Sequence, residues 1–169
     1  VLASLPNLVS GHLGIRANAA GPVRTVSMAC ASGTIAVADA AEDVRRGRAD
    51  VMLAGGADAC ICPTAMVGFG EMDALSRRTH DRGAACRPFD RDRDGFVFGE
   101  GAGVLVLESR EHAAGRGAEV LCSLTGAGRA ADATNPVRPP EDAHGLRRAL
   151  RTALADAGRA PADVDHVNT

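Results

Sequence analysis

Cys30 is the residue whose type and position best suit covalent chemistry. It lies in the segment VSMACASG (residues 26–33), among small neighbours, where a predicted strand passes directly into a predicted helix. The positive end of that helix favours a thiolate, and its unpaired N–H groups, including that of Cys30, can donate hydrogen bonds to an oxyanion. These features predict a cysteine nucleophile. The alternative is a small buried hydrophobic residue, as most free cysteines are.

The other cysteines and the histidines form no recognisable constellation. Four further cysteines are interpreted as packing residues: Cys60, Cys62, Cys86 and Cys122. An odd number of cysteines, with no secretion signal at the start of the chain, predicts reduced thiols and a cytoplasmic location. The Cys-x-Cys spacing is too short for a zinc knuckle, and the five histidines are far apart with no HExxH motif. We therefore expect neither a metal site nor a cofactor.

Composition excludes several broad classes of function. The chain has 169 residues, of which 46% are hydrophobic and 24% charged, so it is globular and not disordered. Its formal charge is −2 with scattered basic residues, which argues against nucleic-acid binding. Aromatic residues make up only 2%, which disfavours base-stacking platforms. No apolar run reaches the roughly 18 residues of a membrane span.

Strand and helix patterns alternate along the chain. Helical periodicity covers 31–47, ended by Gly47, and also 109–116 and 141–158. Strand patterns cover 22–28, 50–54 (closed by Gly55-Gly56), 102–108, 118–127 and Val164 to Val167. Segment 63–76 is punctuated by glycine, and 77–94 is an Arg/Asp-rich loop. The alternation predicts an α/β architecture with a largely covered sheet.

Five segments, taken in order, resemble a β-ketoacyl synthase of type II fatty-acid or polyketide synthesis. They are VSMACASG (26–33), RADVMLAGGADA (48–59), GFG (68–70), RPFDRDRDGFVFGEGAGVLVLES (87–109) and DHVNT (165–169). The resemblance implies the thiolase-like fold, a layered αβαβα arrangement of two packed halves. Residues 1–169 are expected to be a fragment of such a domain, the later part of its N-terminal half, ending just before the first catalytic histidine.

The resemblance also implies a reaction and its participants. In this family a cysteine accepts an acyl chain from acyl carrier protein, and decarboxylation of malonyl-carrier protein then drives a Claisen condensation. Cys30 matches that nucleophile. Phe69 matches a phenylalanine that lines the acyl pocket, with an ordinary core aromatic as the alternative. The implied assembly is a homodimer or a heterodimer of ketosynthase and chain-length factor.

The family requires two histidines and a lysine that these residues do not supply. The first histidine follows the match to DHVNT, in an HGTxT string, and His166 is interpreted as structural. Residues 1–169 alone are therefore expected to be unable to condense anything. Three alternatives are a non-catalytic chain-length-factor-like partner, a thiolase-fold acyltransferase acting on acyl-CoA, and a cysteine-dependent α/β hydrolase. Chain-length factors typically replace the nucleophile, often with Gln, and Cys30 argues against that alternative.

Two further patterns have limited meaning. Gly99, Gly101 and Gly103 precede a predicted strand, so they are not a dinucleotide loop and are expected to allow close backbone packing. Six arginines could meet an acidic carrier protein: Arg77, Arg78, Arg82, Arg87, Arg91 and Arg93. Because aspartates alternate with them, we predict a solvated, internally paired loop instead. Asp73 stands where some relatives carry a basic carrier-docking residue.

Overall fold

A computed structural model describes residues 5–135 and 137–168 of the chain. The helices are α1 (Asn7–Arg16), α2 (Ser32–Arg45), α3 (Pro63–Glu71), α4 (Arg110–Gly115) and α5 (His144–Ala157), and the strands are β1 (Val51–Asp58) and β2 (Gly101–Glu108). Short 3-10 turns occur at Arg82–Ala84 and Pro161–Asp163. The described residues divide into two compact units. Within the described residues, the first comes from 5–25 and 54–105, and the second from 26–53, 106–135 and 137–168.

Strands β1 and β2 pair with each other in a two-stranded sheet. The prediction of β2 at 102–108 is confirmed to within one residue. The prediction that Gly55-Gly56 ends β1 is wrong, because the strand continues to Asp58. Glycine is needed inside this strand, since a Cβ at Gly55 would lie 1.9 Å from the carbonyl oxygen of Gly103.

Helices α2, α4 and α5 follow the predicted segments closely. Helix α2 buries Ala40, Ala41 and Asp43, and the Asp43 carboxylate lies 3.0 Å from the Arg48 guanidinium. That ion pair offsets the free-energy cost of burying the Asp43 carboxylate in an amphipathic helix. Helix α5 starts three residues later than predicted and ends at Gly158, whose φ of 62° is the left-handed conformation that commonly terminates helices.

Three predicted strands are wrong and two helices were not predicted. Residues 22–28, 118–127 and 164–167 form no strand in the described part of the chain, apart from an isolated bridge position at Met28. A strand also needs a neighbouring strand to complete its backbone hydrogen bonds, and alternating side chains in the sequence do not specify that partner. The end of 118–127 packs on α5 instead, where the Ala127 N–H donates to the Asp156 carboxylate at 2.8 Å. Helices α1 and α3 lie in segments that carried no helix prediction.

Small side chains provide the buried apolar positions. Among the described residues these are Ala40, Ala41, Ala54, Ala85 and Ala113, whereas many larger apolar side chains are exposed. On β2, for example, Val104, Leu105 and Val106 are each about half exposed. None of the described helices has the length and apolar character needed to cross a membrane.

Candidate active site

Cys30 lies in a tight turn directly before helix α2, in the second unit. Ala31 N–H donates to the Met28 carbonyl at 3.1 Å, and Ser32 N–H donates to the Ala29 carbonyl at 3.1 Å. Ala29 has a φ of 48°, a left-handed conformation that is unfavourable for a residue with a Cβ. The predicted helix start next to Cys30 is confirmed, and the predicted strand before it is absent.

The hydroxyl of Ser32 closes this turn. Its Oγ accepts a hydrogen bond from the Met28 N–H at 2.7 Å and donates one to the Ala29 carbonyl oxygen at 2.7 Å. Ala31, at the N-cap of α2, has no polar side chain that could do this. The sequence pattern indicates Ser32 only as a small neighbour of Cys30. A hydroxyl two residues after Cys30, in the first turn of a helix, is the signal that identifies it.

The thiol of Cys30 is exposed, so the alternative of a buried hydrophobic cysteine is wrong for the described structure. The packing interpretation of the other cysteines is also wrong for Cys62, Cys86 and Cys122, which are exposed. The residues around these three cysteines leave them open to solvent. Cys60 is partly buried, and its hydrogen bond to the Asp58 carboxylate raises its pKa, with Glu100 adding to the effect. That thiol is therefore held protonated.

Phe69 lies on α3 and belongs to an aromatic cluster in the first unit. Its ring centroid is 5.5 Å from that of Phe96 and 5.1 Å from that of Phe98, and both pairs are edge-to-face. Phe96 and Phe98 are themselves 5.5 Å apart in the same geometry. Such contacts stabilise a cluster beyond the burial of its area. The Phe69 side chain is nevertheless 37% exposed, so the cluster presents an apolar surface as well as a core.

The predicted internal pairing of the Arg/Asp-rich loop is confirmed for Arg77, Arg87 and Arg91. Arg77 forms an ion pair with Asp73, and Arg87 approaches Asp90 at 3.3 Å. The remaining contacts are Arg91 with Asp92 at 3.6 Å, Arg78 with the Asp92 carbonyl at 3.1 Å, and Arg93 with the Asp90 carbonyl at 3.0 Å. Asp94 accepts from the Ser76 hydroxyl at 2.7 Å and from the Arg77 N–H at 3.1 Å, and these bonds lower its pKa.

The glycines at 99, 101 and 103 do not have the packing role expected of them. A Cβ at any of the three would meet nothing within 4 Å in the described structure. Close backbone approach occurs at Gly55 instead, against the Gly103 carbonyl. Residues 5–135 and 137–168 also contain no group of three or more His, Cys, Asp or Glu arranged to hold a metal ion.

Two histidines form hydrogen bonds with nearby carboxylates. Glu108 binds Arg116 through both carboxylate oxygens and lies 2.7 Å from His112 Nδ1, and these contacts lower the pKa of Glu108 to about 2. His144 lies between the Asp142 carboxylate at 2.9 Å and the Asp132 carbonyl at 2.7 Å. His166, predicted to be in a strand, is exposed outside any helix or strand.

The segment that contains both the Cys30 turn and the Phe69 cluster matches a known protein family. The family model "Beta-ketoacyl synthase, N-terminal domain" matches residues 1–113. The chain belongs to the β-ketoacyl synthase family. It is 44% identical to 3-oxoacyl-[acyl-carrier-protein] synthase 2 of Rhizobium meliloti over 97% of this chain and 39% of that protein. It is 40% identical to the protein of the same name from Vibrio cholerae, over 99% of this chain and 41% of that protein.

Solved structures show the same fold. A β-ketoacyl synthase from Burkholderia phymatum has a TM-score of 0.90 and 35% identity, over 98% of this chain and 40% of that one. A type II PKS acyl-carrier protein in complex with its ketosynthase also gives 0.90, at 38% identity, over 94% of this chain and 39% of that one. The α/β, thiolase-like fold is thereby confirmed. The chain spans about two fifths of the length of these relatives.

Proposed function

We propose that the intact protein containing this chain is a β-ketoacyl-[acyl-carrier-protein] synthase, with Cys30 as its acyl-accepting nucleophile. One observation carries the proposal: in a chain of this family, an exposed cysteine lies at the turn that leads into helix α2. The turn leaves the sulfur accessible, and the start of a helix of 14 residues favours negative charge beside it.

The first step is acyl transfer to Cys30. The thiolate attacks the carbonyl carbon of an acyl thioester on the carrier protein, a sulfur–carbon bond forms, and the carbonyl electron pair moves to oxygen. Hydrogen bonds from backbone N–H groups stabilise this oxyanion, and the Cys30 N–H supplies one of them. When the carbonyl re-forms, the thiolate of the carrier leaves and Cys30 holds the acyl group as a thioester.

The second step forms the carbon–carbon bond. Malonyl-carrier protein loses carbon dioxide, and its enolate carbon attacks the carbonyl carbon of the acyl-Cys30 thioester. The sulfur–carbon bond then breaks, the β-ketoacyl product stays on the carrier, and the Cys30 thiolate is regenerated. The resemblance assigns decarboxylation to two histidines and a lysine outside the segments described above. We propose that Phe69, with its aromatic cluster, lines the channel for the acyl chain.

The proposed partners are acyl carrier protein and a second ketosynthase-like subunit. A similar solved structure contains an acyl-carrier protein with its ketosynthase, and others are ketosynthases with a chain-length factor. Homodimer and heterodimer are both compatible with this likeness. Ion pairs with aspartates at Arg77, Arg87 and Arg91 reduce the positive charge that the Arg/Asp-rich loop offers to an acidic carrier. A cytoplasmic location stays a prediction from cysteine usage.

Acylation of Cys30 tests the proposal. The intact protein is incubated with an acyl-carrier-protein thioester or with iodoacetamide, and the modified peptide is identified by mass spectrometry. We expect Cys30 to be modified first and Cys30→Ala to lose acylation. Cys122→Ala, which removes another exposed cysteine of the same unit, serves as the control and should retain acylation.

Two outcomes would contradict the proposal in different ways. Preferential modification of Cys60 or Cys122 would show that the nucleophile is wrongly assigned. Acylation of Cys30 without release of carbon dioxide from malonyl-carrier protein would show a non-condensing protein, as the chain-length-factor-like or acyl-transfer alternatives require.

A further inference from the structure

The hydroxyl of Ser32 holds one particular peptide group, the one that joins Ala29 to Cys30. Ser32 Oγ donates to the Ala29 carbonyl oxygen at 2.7 Å, and the Ser32 N–H donates to the same oxygen at 3.1 Å. The same Oγ accepts from the Met28 N–H at 2.7 Å. Ser32 therefore fixes both the carbonyl end of this peptide group and the residue two positions before Cys30.

The carbonyl of Ala29 and the N–H of Cys30 belong to the same rigid unit. A peptide group is planar, and in a trans peptide the N–H points opposite to the C=O. No peptide bond in the described chain is cis. Because the Ala29 carbonyl points toward Ser32, the Cys30 N–H points away from Ser32. The left-handed φ of Ala29, 48°, is unfavourable for alanine, so hydrogen bonds such as those of Ser32 are needed to hold the turn in this conformation.

We propose that Ser32 is a positioning residue for acyl transfer: its hydroxyl fixes the peptide plane that presents the Cys30 N–H to the oxyanion. This inference rests on the function proposed above. Ser32 itself need not touch the substrate. Its effect acts through the direction of a backbone donor, whose alignment with the forming oxyanion determines how strongly the tetrahedral intermediate is stabilised.

Two reactions of the same sulfur separate this role from a merely structural one. Acyl transfer passes through an oxyanion and depends on the N–H. Alkylation by iodoacetamide displaces iodide at a saturated carbon and forms no oxyanion. We therefore expect Ser32→Ala to lower kcat for acylation of Cys30 by about tenfold. The KM and the rate of alkylation should change by less than about twofold, because no donor to an oxyanion contributes to either.

Matched variants make the test specific. Ser32→Thr keeps the hydroxyl and should restore acylation, whereas Ser32→Val has nearly the shape of threonine without the hydroxyl and should behave like Ser32→Ala. The Thr/Val pair also keeps the proposal testable if Ser32→Ala fails to fold. Ser109→Ala is the control: it removes another hydroxyl at a helix N-terminus of the same unit, the N-cap of α4, and should leave both reactions of Cys30 unchanged.

The possible results are distinguishable. Equal acylation by wild type and Ser32→Ala, or equal loss in the Thr and Val variants, would overturn the role of Ser32. A parallel fall of acylation and alkylation would also overturn it, because it would show a general disturbance of the turn. Absence of Cys30 acylation in the wild-type protein would instead refute the proposed function.

Discussion

At the scale of single residues, hydrogen bonds to neighbouring groups determine what each polar side chain can do. Cys60 and Cys30 are both cysteines near ends of secondary structure, yet the carboxylate of Asp58 holds the Cys60 thiol protonated by raising its pKa. Cys30 is exposed and lies directly before the start of α2. We expect preferential modification of Cys30, because it is exposed, whereas Cys60 is partly buried and its pKa is raised.

His144 gives a prediction about pH. Its bonds to the Asp142 carboxylate and the Asp132 carbonyl raise its pKa above the ordinary value. The protonated histidine therefore stabilises the folded state fully below about pH 6.5, and this contribution is lost as the pH rises through the raised pKa. We expect the Tm of the intact protein to contain a decrease over that range that is absent in His144→Gln.

Thermal unfolding followed by circular dichroism between pH 5.5 and 8.5 measures this difference. His166→Gln, which removes an exposed histidine outside any helix or strand, should keep the wild-type pH dependence. An identical pH dependence in His144→Gln and wild type would show that the ion pair contributes nothing to stability.

At the scale of elements, close backbone approach fixes where helix α5 lies within the second unit. A Cβ at Gly128 would come within 1.9 Å of the Ala149 carbonyl oxygen, and one at Gly126 within 2.4 Å of the Ala153 carbonyl oxygen. These carbonyls belong to the helix backbone and cannot turn aside as a flexible side chain would. The end of the segment predicted as a strand (118–127), together with Gly128 just after it, thus serves as a surface on which a helix packs.

Substitution of Gly128 tests this contact. Gly128→Ala should destabilise the intact protein by about 1–3 kcal/mol, because α5 must move to make room for the added methyl group. Gly115→Ala is the matched control in the same unit, since its Cβ would meet nothing within 4 Å, and it should change stability by less than about 0.5 kcal/mol. Urea denaturation midpoints compare the two variants, and equal midpoints would contradict the packing of α5 on this segment.

At the scale of the whole molecule, the part of the chain that the structure describes encloses little large apolar side-chain surface. The buried apolar residues of the described chain are alanines, while side chains such as Leu121 (90% exposed) and Phe89 (82% exposed) face outward. Burying a large aliphatic or aromatic side chain stabilises a fold by roughly 1.5–3 kcal/mol, so leaving many of them exposed forgoes most of the driving force for folding.

We therefore expect residues 1–169, expressed alone, to be poorly folded. The isolated polypeptide should bind a hydrophobic dye such as ANS and unfold over a broad temperature range, because exposed apolar surface favours association over a cooperative native state. Calorimetry and dye fluorescence of the purified polypeptide measure this. A sharp, cooperative thermal transition without dye binding would contradict the prediction.

The sequence by itself determined the features that depend on neighbouring residues. Small residues around Cys30, the periodicity of α2 and α5, and the apolar run of β2 each reflect local steric and hydrophobic patterns, and the ordered motifs indicated the family. Only the tertiary structure showed that 22–28 and 118–127 lack strand partners, that Gly55 rather than Gly103 carries the close contact, and that the Ser32 hydroxyl binds the peptide before Cys30. Backbone pairing and close approach depend on which segments meet in space, and alternation along a chain does not specify that.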